Sequence, residues 1–375
     1  MNHPLLVVAM LALNIVLSEW LVRNSFFRHL GTALLVILIT AVEANLGIIP
    51  SASDKFPLYS TVLQYIAPIA IFYLLLGVSF RSLRLAGGPM IAVFSIGALG
   101  TMLGVAAASF IVDLQSKIEL APALGGMFAG TYIGGSINFN AVALALNVVQ
   151  QGPLYAGSVA VDNILTAIWM ITTIAIPKMM VRKKKLPVAK IDRSVNQEQD
   201  SEVLNPFGMA LLIVLAPAVL WVSDSLAAII SLPSILIVTT IALVLAQFPV
   251  IQQISGSKIL GLMGVYFFLA VIGAYCEVAA MGQIGEIAIV LLSFAAIIVV
   301  IHGAITFFLG VWLFKDWELA AVASQANVGG STSALALAKS FGRQDLILPG
   351  ILVGALGNGI GTYLGFIVFY LLGGG

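Results

Sequence analysis

Gly134-Gly135-Ser136-Ile137-Asn138-Phe139-Asn140 sets glycines and hydrogen-bonding side chains inside an otherwise apolar stretch, and Asn327-Val328-Gly329-Gly330-Ser331-Thr332-Ser333 does the same 195 residues later. Backbone at membrane depth leaves the helix only where protein buries it or a watery cavity hydrates it. Paired breaks in the two halves of a membrane chain therefore point to a site built between repeats. The surrounding composition fixes the solvent: 61% of the 375 residues are hydrophobic, 9% are charged, and the mean hydropathy is +1.10. Such a chain is a polytopic membrane protein and not a soluble domain. Its net charge of +1 carries no information about nucleic acid or acidic partners. One cysteine, Cys276, excludes an internal disulfide and a cysteine metal cluster. The start, Met1-Asn2-His3-Pro4, lacks the basic n-region of a signal peptide and reads as a retained first helix.

A bilayer core needs about 20 helical residues. Ten apolar runs meet that length, near 4–22, 30–50, 58–80, 87–112, 155–180, 206–223, 232–250, 259–280, 287–314 and 346–372. Two interrupted segments, 120–149 and 317–341, either cross or turn back as re-entrant hairpins or broken helices. Positive charge decides between these options. With both segments re-entrant and the N-terminus outside, Arg23, Arg28, Arg81, Arg84, the Arg182-Lys183-Lys184-Lys185 run, Lys258 and Arg343 face the cytoplasm, while Lys55 and Lys117 stay outside. A full crossing by 120–149 would put the basic run on the outer face. The expected fold is all-α, an inverted 5+5 repeat: residues 1–181 with hairpin 120–149, a basic, polar cytoplasmic linker 182–205, and residues 206–375 with hairpin 317–341 and the C-terminus outside.

An internal repeat is expected at the offset of 195, where seven of the 37 positions from Thr131 to Ala167 are identical. Gly134, Gly135 and Ser136 fall on Gly329, Gly330 and Ser331; Ala141, Ala143 and Ala160 fall on Ala336, Ala338 and Ala355; Asn163 falls on Asn358. Phe72-Tyr73-Leu74-Leu75-Leu76 and Val265-Tyr266-Phe267-Phe268-Leu269 echo it more loosely at 193.

The Ala326–Ala334 segment, with the later Leu348-Pro349-Gly350 and Gly357-Asn358-Gly359-Ile360-Gly361-Thr362 stretches, resembles the bacterial membrane family numbered 819 among domains of unknown function, over the whole chain. More distantly, two inverted halves with glycine-rich breaks resemble the sodium symporters of glutamate, citrate and bile acids. That resemblance implies an elevator-type, sodium-coupled carrier in the inner membrane, a homodimer whose core slides against a scaffold made from the first two spans of each half. The Gly-Gly-His-Gly-Thr type of tip found in glutamate carriers is absent here, which argues against glutamate.

Asp162 is the foremost single residue. A carboxylate within a span costs about 2.5–3.5 kcal/mol on insertion scales, so it faces a cavity and serves ions or protons. Its repeat mate is Gly357, so the two sites are chemically unequal. Asn163, Asn138, Asn140, Asn358, Thr332 and Ser333 supply neutral oxygens suited to Na⁺ beside it, or hydrogen bonds between helices. Thr131, Gly134, Gly135, Ser136, Gln325, Asn327, Gly329, Gly330 and Ser331 form the hairpin tips expected to hold substrate. There the glycines free backbone groups and the half-helix N-termini favour an anion. Close helix packing is the other reading of those glycines. Glu43 and Glu277, near outer helix ends, and His302, inside a span, are secondary; His302 reads first as a hydrogen-bonded structural group.

The function expected is secondary active transport, by sodium symport, of a small organic anion such as a carboxylate, an amino acid or a small peptide-like solute. A proton-coupled carrier or antiporter using Asp162, or an uncoupled channel or facilitator, is the alternative. An enzyme is not expected, because His3, His29 and His302 accompany no His-Glu-x-x-His or serine-hydrolase pattern. No cofactor, transition metal or nucleic acid is expected, only Na⁺, lipid and substrate.

Overall fold

The computed structural model describes residues 3–25, 31–180, 205–230, 232–276 and 284–375, and the described residues are helical with short connections. In chain order the helices are α1 (Pro4–Asn24), α2 (Gly31–Asn45), α3 (Pro57–Leu75), α4 (Gly88–Val112), α5 (Ala121–Gly134), α6 (Ser136–Ala145) and α7 (Gly152–Met180). The second half repeats the order with α8 (Pro206–Ile230), α9 (Ser234–Leu245), α10 (Ser257–Tyr275), α11 (Ile284–Phe314), α12 (Trp317–Phe341) and α13 (Gln344–Leu371). Arg28, the 182–204 linker and Glu277 lie outside the described residues.

Eight of these helices are long and apolar enough to cross a membrane. The runs near 30–50 and 232–250, expected to be full spans, are shorter: α2 has 15 residues and α9 has 12. Gly47 at φ +71° and Pro50 end the first run, and the Phe248-Pro249 step ends the second. At 1.5 Å per residue α9 reaches about 18 Å, well short of the hydrocarbon thickness of about 30 Å. Inside α3, the turn from Val62 to Ile66 is π-helical just before Pro68. A wider turn there accommodates the missing N–H of the proline ring.

Both interrupted segments turn back. Gly135, between α5 and α6, has φ 85° and ψ 178°; Gly330, within α12, has φ 73° and ψ −169°. This backbone region is almost exclusive to glycine, and the two breaks lie 195 residues apart in the chain. Beyond the first break, a Cβ at Gly130 would touch Asn138 at 3.3 Å and one at Gly126 would touch Val142 at 3.3 Å, so α5 and α6 run antiparallel. In α12, a Cβ at Gly350 would reach both Val322 (2.8 Å) and Ala334 (3.3 Å). Twelve residues of unbroken helix would hold those two about 18 Å apart.

Arg343 closes the base of this second hairpin. It bonds Asp316 at 3.0 Å and Glu318 at 2.9 Å, on the chain entering α12, and Asp345 at 2.7 Å beyond its end. These bonds, Asp345's foremost, hold the guanidinium pKa above its ordinary value. Asp316 also caps α12, accepting from the backbone N–H groups of Glu318 and Leu319. In a Cys276→Ser background, Asp316→Cys and Ser340→Cys are expected to react with an impermeant maleimide from one membrane face, and Ser116→Cys and Gln150→Cys from the other. Labelling of Asp316→Cys and Ser340→Cys from opposite faces would mean that α12 crosses.

The helices pack as two bodies. Body one joins α1, α2, α3, α8, α9 and α10; body two joins α4, both hairpins, α7, α11 and α13. The third span of each half, α3 and α10, thus belongs with the first two, which enlarges the expected scaffold of two spans per half.

Candidate functional site

Body two carries the hairpins nose to nose. Gly135 and Gly330 meet, a Cβ on the first lying 4.0 Å from the Cα of the second. The depth follows from α13: Gly134 packs against Gly357, at the middle of the 28-residue helix. Irregular backbone at membrane depth is held only where protein buries it or it lines a cavity.

Two cavities flank the tips and share Gly135, Ser136 and Gly329 in their walls. The first, about 320 Å³, lies between α7 and hairpin 2 and takes in Asp162, Asn163 and Thr166 from α7, Thr131 from α5, and Gln325 and Ser333 from α12. Asp162 is its single charged residue, and the Thr131 hydroxyl donates to that carboxylate at 3.4 Å. Gln325 is fully buried; its Oε1 accepts from Thr173 at 3.1 Å while its Nε2 has no hydrogen-bond partner. A buried unpartnered amide in a polar cavity calls for a ligand or water oxygen.

The second cavity, about 490 Å³, lies between the tips and body one. Body two lines it with Ser136, Asn140, Gly330, Ser331, Thr332 and Asn358, and body one with Tyr73, Gly77, Ser257 and Lys258. The N-termini of α6, at Ser136, and of the second arm of α12, at Ser331, both open into it. Lys258 is its charged residue, and no carboxylate is among its described lining. Two positive helix ends and a lysine give this space the opposite electrostatic character from the Asp162 cavity.

Thirteen of the sixteen residues expected at the site line one cavity or both, but in a different grouping: Asn140, Asn358 and Thr332, expected beside Asp162, line the second cavity, whereas Thr131 and Gln325, expected to hold substrate, line the cavity of Asp162. The exceptions are Gly134, Asn138 and Asn327, and they are structural ties. Asn138 is buried, its Nδ2 donating to the Gly357 carbonyl at 3.3 Å and its Oδ1 accepting from Thr362 at 2.8 Å. Asn327 is buried with its amide group within bonding distance of the carbonyls of Ile133 (3.4 Å), Phe94 and Ala323 (3.2 Å each). Asn140 lines the second cavity while accepting from the Tyr155 hydroxyl.

The glycine pairs divide the two roles read for them. Gly135 and Gly330 supply the left-handed break, whereas Gly134 is a packing glycine. Among the secondary candidates, Glu43 is far from the tips and bonds Asn14 at 2.7 Å, tying α1 to α2. His302 is buried, bonded to Gly97 O (2.9 Å), Thr101 (3.0 Å) and Ser324 (2.9 Å), which joins α11 to α4 and hairpin 2.

Sequence reasoning missed Thr166, Tyr73, Ser257 and Lys258. Thr166 follows Asp162 by one helical turn and shares its face, which was a usable signal. The body-one residues carry no local sign of facing the tips. Also missed is a cavity of about 700 Å³ between the bodies, remote from the breaks, lined by Ser60 and Gln64 of α3, Asn147, Gln150, Asp224 and Ser234.

Taken together, the fold and the paired tips define a multi-pass α-helical membrane protein with two facing re-entrant hairpins. The chain belongs to the family described as Protein of unknown function (DUF819), whose profile matches residues 5–372. It is similar to the uncharacterized membrane protein YjcL of Bacillus subtilis (strain 168), with 29% identity over 366 residues, covering 92% of this chain and 90% of that protein.

Proposed function

We propose that the protein is a secondary active transporter that couples entry of Na⁺ to movement of a small organic anion. The observation carrying this reading is the pair of oppositely charged cavities sharing the hairpin tips: Asp162 on one side, two helix N-termini and Lys258 on the other. A cation beside Asp162 and an anion at the N-termini would lie across one thin wall of Gly135, Ser136 and Gly329, where each ligand stabilises the tip geometry the other needs.

Alternating access is proposed as movement of one body against the other. The 490 Å³ cavity borders α3 at Tyr73, Leu74, Gly77 and Val78, and the 700 Å³ cavity borders the same helix at Ser60, Leu63, Gln64 and Pro68. Sliding of body two along α3 would carry the tips from one to the other, an elevator motion of two inverted halves. With Arg81, Arg84, Lys258, Lys315 and Arg343 inside by the positive-inside rule, the 490 Å³ cavity would be the cytoplasmic one in this conformation. Residence in the cytoplasmic membrane and a homodimer complete the proposal.

The test needs no substrate. Melting temperature of the purified protein is compared in Na⁺ and in K⁺ at matched ionic strength and several pH values. A rise of several degrees specific to sodium is expected. A shift that follows pH and ignores sodium would replace the proposal with proton coupling, which needs the carboxylate alone; no shift at all would leave uncoupled passage.

A further inference from the structure

Both hairpins pack on α13, and hairpin 2 packs on α7 as well; the contacts of hairpin 1 on α13 and of hairpin 2 on α7 correspond at the offset of 195, and the two are built differently. Hairpin 1 presents Gly126, Gly130 and Gly134, one turn apart, to Gly357, Gly361 and Gly365. At the offset of 195 the corresponding residues are Ala321, Gln325 and Gly329 on hairpin 2, and Asp162, Thr166 and Met170 on α7.

The glycine copy is closed to the backbone. A Cβ at Gly134 would lie 1.9 Å from the Gly357 carbonyl oxygen, one at Gly365 would lie 2.6 Å from that of Gly126, and one at Gly361 would lie 2.9 Å from that of Gly130. Asn138 fills what is left, bonded to Gly357 and Thr362. In the other copy Ser333 stands where Asn138 does, and Asp162, Thr166 and Gln325 hold the surfaces apart around the 320 Å³ cavity. Small residues let helices approach and larger polar ones keep them apart. The duplicated site is thus sealed in one half and open in the other.

We infer that the protein binds one coupling cation per protomer, beside Asp162, and that the repeat-related second site is closed by Asn138 and its glycines. This rests on the cation-coupled reading and adds the number of ions and the closure of the second site. One carboxylate compensates the charge of a monovalent hard cation, with the hydroxyls of Thr131, Thr166 and Ser333 as neutral oxygen ligands; a divalent ion would keep an uncompensated charge inside the protein. The unpartnered Gln325 amide lies in the same cavity, positioned for an oxygen of the ion's hydration water.

Radiolabelled Na⁺ binding to the purified protein measures the number: one ion per protomer with a Hill slope of about 1 is expected. Ser333→Asn, which copies the seal onto the open side, should lose binding at least tenfold. Its melting temperature in potassium should match that of the wild type. Independently of ion binding, in a Cys276→Ser background Ser333→Cys should react with a small thiosulfonate at least tenfold faster than Thr362→Cys, and sodium should protect it. Two ions per protomer, or equal reactivity of the two cysteines, would overturn the inference and leave cation coupling standing. No bound sodium and no protection would overturn cation coupling by sodium itself, and the inference with it.

Discussion

Asp162→Asn is expected to abolish the sodium-specific rise in melting temperature while leaving the melting temperature in potassium close to that of the wild type. The argument has two parts. Asn keeps the shape and can still accept from Thr131, whose hydroxyl reaches Asp162 at 3.4 Å, so the packing of α7 on hairpin 2 is retained. Removing a carboxylate from mid-span also removes a desolvation cost of about 2.5–3.5 kcal/mol on insertion scales, which protects the fold. What the variant lacks is the single negative charge of the 320 Å³ cavity. A ligand that binds only the folded state at about 100 times its dissociation constant stabilises by about 2.7 kcal/mol, so losing it is readily measured. Sodium-driven uptake should fall to background in the same variant. An undiminished sodium shift would take the ion away from Asp162.

The sequence made the two breaks legible because Gly-Gly-Ser inside apolar runs has few explanations in lipid. Positive charge then favoured hairpins over crossings, and Arg343 bonds Asp316 and Glu318, bringing the two ends of α12 together. Other features are set by contacts distant in the chain. Asn138 and Asn163 look alike as intramembrane amides, yet the partner of Asn138 is a carbonyl 219 residues away, and only the packing of hairpin 1 on α13 reveals it. Asn327 is tied in the same way to Ile133, 194 residues distant. The short lengths of α2 and α9 were visible at Gly47 and Pro249 but were outvoted by average hydropathy. That α3 and α10 join body one could not be read at all, since each is an ordinary apolar helix whose partner is another ordinary apolar helix.

Gly134→Ala is expected to be far more destabilising than Gly329→Ala, although the two glycines are repeat mates in the same helical context. Both changes gain roughly 0.5–1 kcal/mol of helix propensity, so the comparison isolates packing. At Gly134 the new methyl would sit 1.9 Å from the oxygen and 2.2 Å from the carbon of the Gly357 carbonyl. Backbone on both sides gives no rotamer escape, and α13 must shift as a body. Overpacking costs about 1–3 kcal/mol where side chains can adjust, so a cost of about 3 kcal/mol or more is expected here. At Gly329 the nearest atoms are Gln325 Nε2 (2.4 Å) and Ser333 Oγ (2.6 Å), ends of side chains that border a cavity and can swing into it, and Ser333 Cβ (2.7 Å), which moves only if the second arm of α12 gives by a few tenths of an ångström toward the cavity. That variant should fold with a loss on the order of 1 kcal/mol and report its damage as weaker sodium binding, because the displaced groups belong to the proposed ion site. Melting temperature and monodisperse yield separate the two. Equal losses would mean that both hairpin contacts are packed alike, and the asymmetry that assigns structure to one half and ion binding to the other would not hold.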